Sequence, residues 1–206
     1  MRFNRFNEET EAELAVYDEL IPQIKKKCQP WIHECGGGML LRGSWVLGRK
    51  GNEAKPWVIV NTRTDRKPTD TPKYLHDIVD DVFEEEWGYR ARSESVFCTS
   101  DWQTIMKKYG PSGIVIPIGT FDFLWSKKIN DLWEDYLSEI ESGMSHLQDW
   151  QIKDHIENTL PELYTSRDLH AAIKSGHEVM IKCKQYYFIQ DTHTPKFRFR
   201  YKEIFK

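Results

Sequence analysis

The sequence predicts an α+β domain. Helical and strand-like segments follow one another in irregular order, the composition suits a packed core, and no internal repeat or low-complexity tract breaks the chain. Hydrophobic residues make up 39% of the 206 and charged residues 30%, the proportions of a globular protein. A chain of this length buries roughly 70% of its unfolded surface, so it needs no staple to fold. The whole chain reads as a single domain, 1–206: an N-terminal helix over 1–30, a core over 39–190, and a basic, aromatic C-terminal segment over 191–206.

Each element follows from local pattern. From Asn7 to about Cys28, Leu14, Val16, Tyr17, Leu20, Ile21 and Ile24 fall on one side of a helix. Its early turns carry Glu8, Glu9 and Glu11 and its last carries Lys25, Lys26 and Lys27, as the helix dipole favours. Pro22 is a place for that helix to kink, and Pro30 with Gly36-Gly37-Gly38 ends it. Met39–Leu47 and Trp57–Asn61 read as strands, and the prolines and aspartates of Arg63–Pro72 mark a loop. Lys73–Trp87 returns to helical spacing, with Gly88 placed as a C-terminal cap.

Ser95–Thr99 reads as a short strand, and Asp101 caps a helix running to Tyr109-Gly110. Gly113–Ile118 has the composition of a buried strand, and the acidic stretch from Ser126 to about Asn158 is helical. A further helix opens at Ser166-Arg167-Asp168-Leu169 and stops at Ser175-Gly176. Two closing strands follow, His177–Cys183 and Gln185–Gln190. In Lys196–Lys206 the alternation of Phe197, Phe199 and Tyr201 with Arg198, Arg200 and Lys202 predicts an edge strand.

The net charge of −3 gives no overall pull toward nucleic acid. Cys28, Cys35, Cys98 and Cys183 lack a disulfide rhythm, which points to free thiols in a reducing, cytoplasmic setting. No apolar run reaches membrane-spanning length, and MRFNRFNEET has no signal-like apolar stretch. Cys28, His33 and Cys35 lack a convincing fourth zinc ligand, and no HExxH, GxSxG, Walker or GxGxxG pattern occurs, so no metal site is expected. Asp77, Asp80, Asp81, Glu84, Glu85 and Glu86 are expected on a solvated helix face.

Three places carry chemistry. Arg42, followed by Gly43, sits inside an apolar strand, where an unpaired guanidinium is costly and an anion is expected beside it. Thr99 and Ser100 follow a core strand at a strand-to-helix junction. Glu178 leads into the apolar strand Val179-Met180-Ile181, where a carboxylate needs partners. Each has a plain structural explanation as well: a surface-paired arginine, a helix cap, an exposed strand start.

Taken together and in order, Leu41-Arg42-Gly43, Phe97-Cys98-Thr99-Ser100 and Glu178-Val179-Met180-Ile181 with Tyr187-Phe188-Ile189 behind it resemble the Arg–Ser–Glu class of mono-ADP-ribosyltransferases, which includes bacterial toxins and phage-encoded enzymes. The resemblance spans Met39 to about Gln190. It implies a split β core with flanking helices and an NAD cleft. It further implies that Glu178, Thr99 and Ser100 are catalytic, and that Arg42 and Gly43 hold the NAD. NAD is then a substrate, and ADP-ribose passes to a macromolecular acceptor, protein or nucleic acid, in the cytoplasm (a host's, for a phage enzyme).

The pattern departs in two places. Asp101 stands where many members have the last residue of Ser-Thr-Ser, and Gly176 stands two before Glu178, where enzymes modifying arginine or asparagine usually have Glu or Gln. The acceptor, and transfer against simple NAD hydrolysis, stay open. Arg63 and Arg66 in the 63–72 loop are candidate phosphate contacts. Trp45, Phe121 and Trp125 are candidate nicotinamide walls. Two other readings stay open: a non-catalytic, phage-type inhibitor using aromatic and basic surfaces, and a metal-dependent nuclease built on Asp65 and nearby acids.

Overall fold

The computed structural model describes Ala15 and residues 17–43, 57–67, 69, 71–109, 112–144, 146–190 and 194–206. The fold is α+β: helices pack on a six-stranded antiparallel sheet. The strands are β1 (Leu40–Gly43), β2 (Trp57–Asn61), β3 (Val96–Cys98), β4 (Ser112–Ser126), β5 (Tyr164–Thr165) and β6 (Val179–Gln190). The helices are α1 (17–27), α2 (Gln29–Glu34), α3 (Lys73–Trp87), α4 (Ala91–Glu94), α5 (Trp102–Tyr109), α6 (Ser138–Gly143), α7 (Asp149–Leu163), α8 (Leu169–Ser175) and α9 (Thr194–Tyr201). A single π-helical turn, Trp133–Leu137, leads into α6.

Two long strands organise the sheet. β4 and β6 pair along nearly their whole length, from Gly113↔Gln190 to Trp125↔Val179, with one extra residue in β4 between Ile118 and Phe121. Such a bulge increases local twist. β2 and β3 share the other edge of β6, while β1 and β5 share the other edge of β4. Around β3 successive side chains alternate between two cores. Val96, Cys98, Phe123, Trp125, Val179 and Ile181 join the core under α1, α2, α8 and α9; Leu124 and Met180 face the core of α3 and α7.

The caps at two helix ends come from the residues the sequence offers. Asp101 accepts from the Gln103 and Thr104 N–H groups at the start of α5, and Asp168 caps α8 through Ala171. Gly88 and Gly176 close α3 and α8 in the left-handed region at φ 78° and 79°, which a side chain would strain.

Several expectations are corrected. Lys196–Lys206 is not an edge strand: α9 and a 3₁₀ turn occupy it, because Phe197, Tyr201 and Ile204 bury at helical spacing against the core that holds Tyr17 and Trp31. The two closing strands are one, β6, since no turn residue separates Cys183 from Gln185, and His177 and Glu178 lie just before it. The strand read at Gly113–Ile118 continues to Ser126. Helix α1 runs through Pro22, and Pro30 lies in the first turn of α2 instead of ending a helix. The parts of the first helix before residue 15, the strand beyond Gly43, and Trp45 lie outside the described residues. All four cysteines are buried and free, and no helix among the described residues is long and apolar enough to cross a membrane.

Candidate active site

The sheet brings three distant segments to one place. The Leu41 N–H donates to the Thr99 carbonyl at 2.7 Å and the Thr99 N–H donates back at 2.9 Å, so the residue after Leu41, Arg42, sits beside the end of β3. β3 in turn pairs with β6 through Cys98↔Val179, which carries Glu178, the residue before Val179, to the same end. Arg42, Gly43, Thr99 and Glu178 therefore line one cleft, joined by Arg66, Phe97, Lys108, Tyr109, Asn130 and Asp131. The cleft continues past Glu178, Arg66 and Tyr109 into a second chamber that reaches Thr71, His76, Arg92 and Trp133.

The two hydroxyl residues do different things. Thr99 lines the cleft, and its Oγ1 donates to the Gly176 carbonyl while accepting from the Asp101 N–H at 3.0 Å. Ser100 Oγ donates to the Ile173 carbonyl in α8. Both tie the corner between α8 and β6 to the end of β3, and so fix where Glu178 starts. Gly43 is demanded by packing: a Cβ there would lie 2.3 Å from Tyr109 Cβ. Tyr109 can stand over β1 only because that position has no side chain.

Glu178 is held from the opposite side by the loop before the π-helical turn. Its N–H donates to the Asn130 carbonyl at 2.8 Å. Burial pushes its carboxyl up to about 7, and Asp131 adds to this; Arg92, Arg66 and the Leu132 N–H pull the other way. Its Oε1 is buried with no hydrogen-bond partner among the described residues, and so is the Nη1 of Arg66. Asp131 is itself fixed, capping the Trp133 and Glu134 N–H groups and facing Lys108 at 3.4 Å.

Arg66 lies with its guanidinium carbon 3.9 Å from the centre of the Phe97 ring. Burial and the neighbouring Arg42 push its pKa down to about 10, while Glu178 opposes them. The other loop arginine goes elsewhere: Arg63 pairs with Asp65 at 3.6 Å on the exposed surface and lines neither chamber. Neither Phe121 nor Trp125 reaches the cleft. Phe121 packs on Trp31 and Phe123, and Trp125 is buried with its ring N–H on the Arg167 carbonyl, while the rings at the cleft are Phe97 and Tyr109.

The structure adds residues that sequence reading missed: Arg92, His76, Asp80, Tyr109, Asn130 and Asp131. Asp80 in particular is no solvated acid; it is fully buried. A signal existed, because Leu75, His76, Val79, Asp80, Val82 and Phe83 are the buried stripe of α3 and the two polar residues fall in it at i, i+4. Among the described residues no group of three or more His, Cys, Asp or Glu side chains is placed to hold a metal ion. No protein-family model, no curated protein and no solved structure matches this chain.

Proposed function

We propose that this protein is an NAD-dependent mono-ADP-ribosyltransferase, with the ADP-ribosyltransferase-like split β core over 39–190, releasing nicotinamide and passing ADP-ribose to a protein or nucleic-acid acceptor. One observation carries the reading: Arg42, Thr99 and Glu178, from three segments far apart in sequence, line a single cleft together with Arg66, and Arg92 lines the space that adjoins it at Glu178.

The chemistry asks for that set. Breaking the bond between ribose C1′ and the nicotinamide ring nitrogen leaves the electron pair on nicotinamide and develops oxocarbenium character at C1′. The Glu178 carboxylate, beside that carbon, stabilises the developing charge and accepts a hydrogen bond from a ribose hydroxyl. Arg42, Arg66 and Arg92 offer guanidinium forks to the pyrophosphate, for which planar paired donors are well suited. The acceptor's nucleophile then forms the new bond to C1′ and gives up its proton. Thr99 and Ser100 act through the backbone, holding the start of β6. Calorimetry with NAD tests the first step: micromolar binding that Arg66→Gln weakens by about tenfold or more supports the reading, and no heat with wild-type protein refutes it.

A further inference from the structure

Behind Glu178 a buried chain of polar groups runs from Arg92 to His76 and Asp80, and the proposed reaction does not itself use the last two. Asp80 on α3 is fully buried, and His76, one turn earlier, is 5% exposed. Asp80 Oδ1 accepts the Arg92 N–H at 2.7 Å, and Oδ2 accepts the Ser93 hydroxyl and lies 3.3 Å from His76 Nε2. The Arg92 Nε–H donates to His76 Nδ1 at 3.2 Å, and its Nη2 donates to Thr71 Oγ1 at 2.8 Å. Asp80 thus holds the Arg92 segment twice, through the Arg92 backbone and through the Ser93 hydroxyl, which lies 3.1 Å from His76 Nε2.

The protonation pattern follows from donor chemistry. A guanidinium only donates, so His76 Nδ1 must present its lone pair, and the ring proton sits on Nε2, toward Ser93 Oγ at 3.1 Å with Asp80 Oδ2 at 3.3 Å. A neutral imidazole is required, and burial does hold the His76 pKa below its usual value, with Arg92 and Arg66 acting the same way against Asp80 and Asp77. Arg92 is left with no rotational freedom at Nε or Nη2, at the wall of the chamber that Glu178 shares.

We propose that His76 and Asp80 are positioning residues: they lock Arg92 as the fixed cationic neighbour of Glu178 and so set the ionisation of that carboxyl. The inference rests on Glu178 being the working carboxylate of the proposed reaction, yet it can be read without any turnover. The groups facing Glu178 are Asp131 from the loop before the π-helical turn, Arg66 from the 63–72 loop, Arg92 from α4, Cys98 from β3, Tyr109 from α5 and Tyr164 from β5. Among these the two arginines favour the charged carboxylate. Freeing Arg92 therefore moves the carboxyl toward the protonated form.

The test is the titration midpoint of Glu178, followed by carbon-13 NMR on protein labelled at glutamate carboxyls, with Glu178→Gln assigning the signal. His76→Leu, which removes both ring nitrogens, should raise the midpoint by about one pH unit, a shift typical of losing one close charge partner. His76→Asn keeps an acceptor at the Nδ1 position and should restore it. Arg92→Gln should raise it equally, and His76→Leu should add nothing on top, since both remove one interaction. If His76→Leu does not fold, Thr71→Val removes the other tether of Arg92 and carries the same expectation. A folded His76→Leu or Thr71→Val protein with an unmoved midpoint, or a shift that adds to that of Arg92→Gln, overturns the proposal. Absence of NAD turnover would instead count against the enzyme reading and leave this result standing.

Discussion

Glu178 Oε1 and Arg66 Nη1 border the same cleft, one an acceptor and the other a donor, and neither has a hydrogen-bond partner among the described residues. Leaving a buried polar atom unpaired costs roughly 1–3 kcal/mol, so a ligand that satisfies both gains from each. A hydroxyl does so, donating to the carboxylate and accepting from the guanidinium. The expected consequence is that NAD lacking the 2′-hydroxyl of its nicotinamide ribose binds about tenfold more weakly or worse. Competition calorimetry between the two nucleotides checks this, and equal affinities would mean the two atoms are satisfied in another way.

The same carboxyl carries a stability cost. Its folded pKa of about 7 lies above the ordinary 4.5, so the folded state holds the extra proton between those values. Whatever stability this group contributes is present below about 4.5 and lost as pH rises through about 7. Glu178→Gln should therefore raise the unfolding free energy at pH 8 by about 1–3 kcal/mol and change it little near pH 4.5. Urea unfolding at the two pH values gives the answer; a variant less stable at pH 8 would show the carboxylate to be compensated.

Turnover should follow the same group with the opposite sense. The proposed reaction needs the carboxylate, so nicotinamide release should rise with pH along a limb centred near 7. A rate independent of pH between 5.5 and 8.5, a window of about 1.5 on either side, would separate Glu178 from the rate-limiting charge.

Gly43 offers a test of the cleft wall. An alanine Cβ there would lie 2.3 Å from Tyr109 Cβ, so Gly43→Ala must displace the ring or the helix behind it, at a cost of about 1–3 kcal/mol. Gly143 at the end of α6 has open space around it and no positive φ, so Gly143→Ala serves as the neutral control. The two variants should differ in Tm, and only Gly43→Ala should weaken NAD binding.

Local signals in the sequence were sufficient where the physics is local. Asp101, Asp168, Gly88 and Gly176 mark helix ends because a cap needs only its own turn. Order along the chain was enough to single out Arg42, Thr99 and Glu178, which the structure does bring to one cleft. What failed depended on partners remote in sequence. Lys196–Lys206 alternates like a strand, yet burial of Phe197 and Tyr201 against Tyr17 and Trp31 decides for a helix. In the sequence Asp80 is one acid among many, and the Arg92–Ser93 segment folding over it, with His76 at 3.3 Å and Arg90 at 3.9 Å, makes a buried carboxylate tolerable. Arg63 and Arg66 are three residues apart and indistinguishable by composition, but only Arg66 finds an aromatic face, Phe97, to lie on.

Incubating the protein with NAD and following free nicotinamide, wild type beside Glu178→Ala, decides whether Glu178 is the working carboxylate of an NAD-cleaving enzyme. Steady release by the wild type is expected, with a fall of about 100-fold or more in the variant and NAD binding largely kept. No release by folded wild-type protein that binds NAD, or equal release by both, would contradict it.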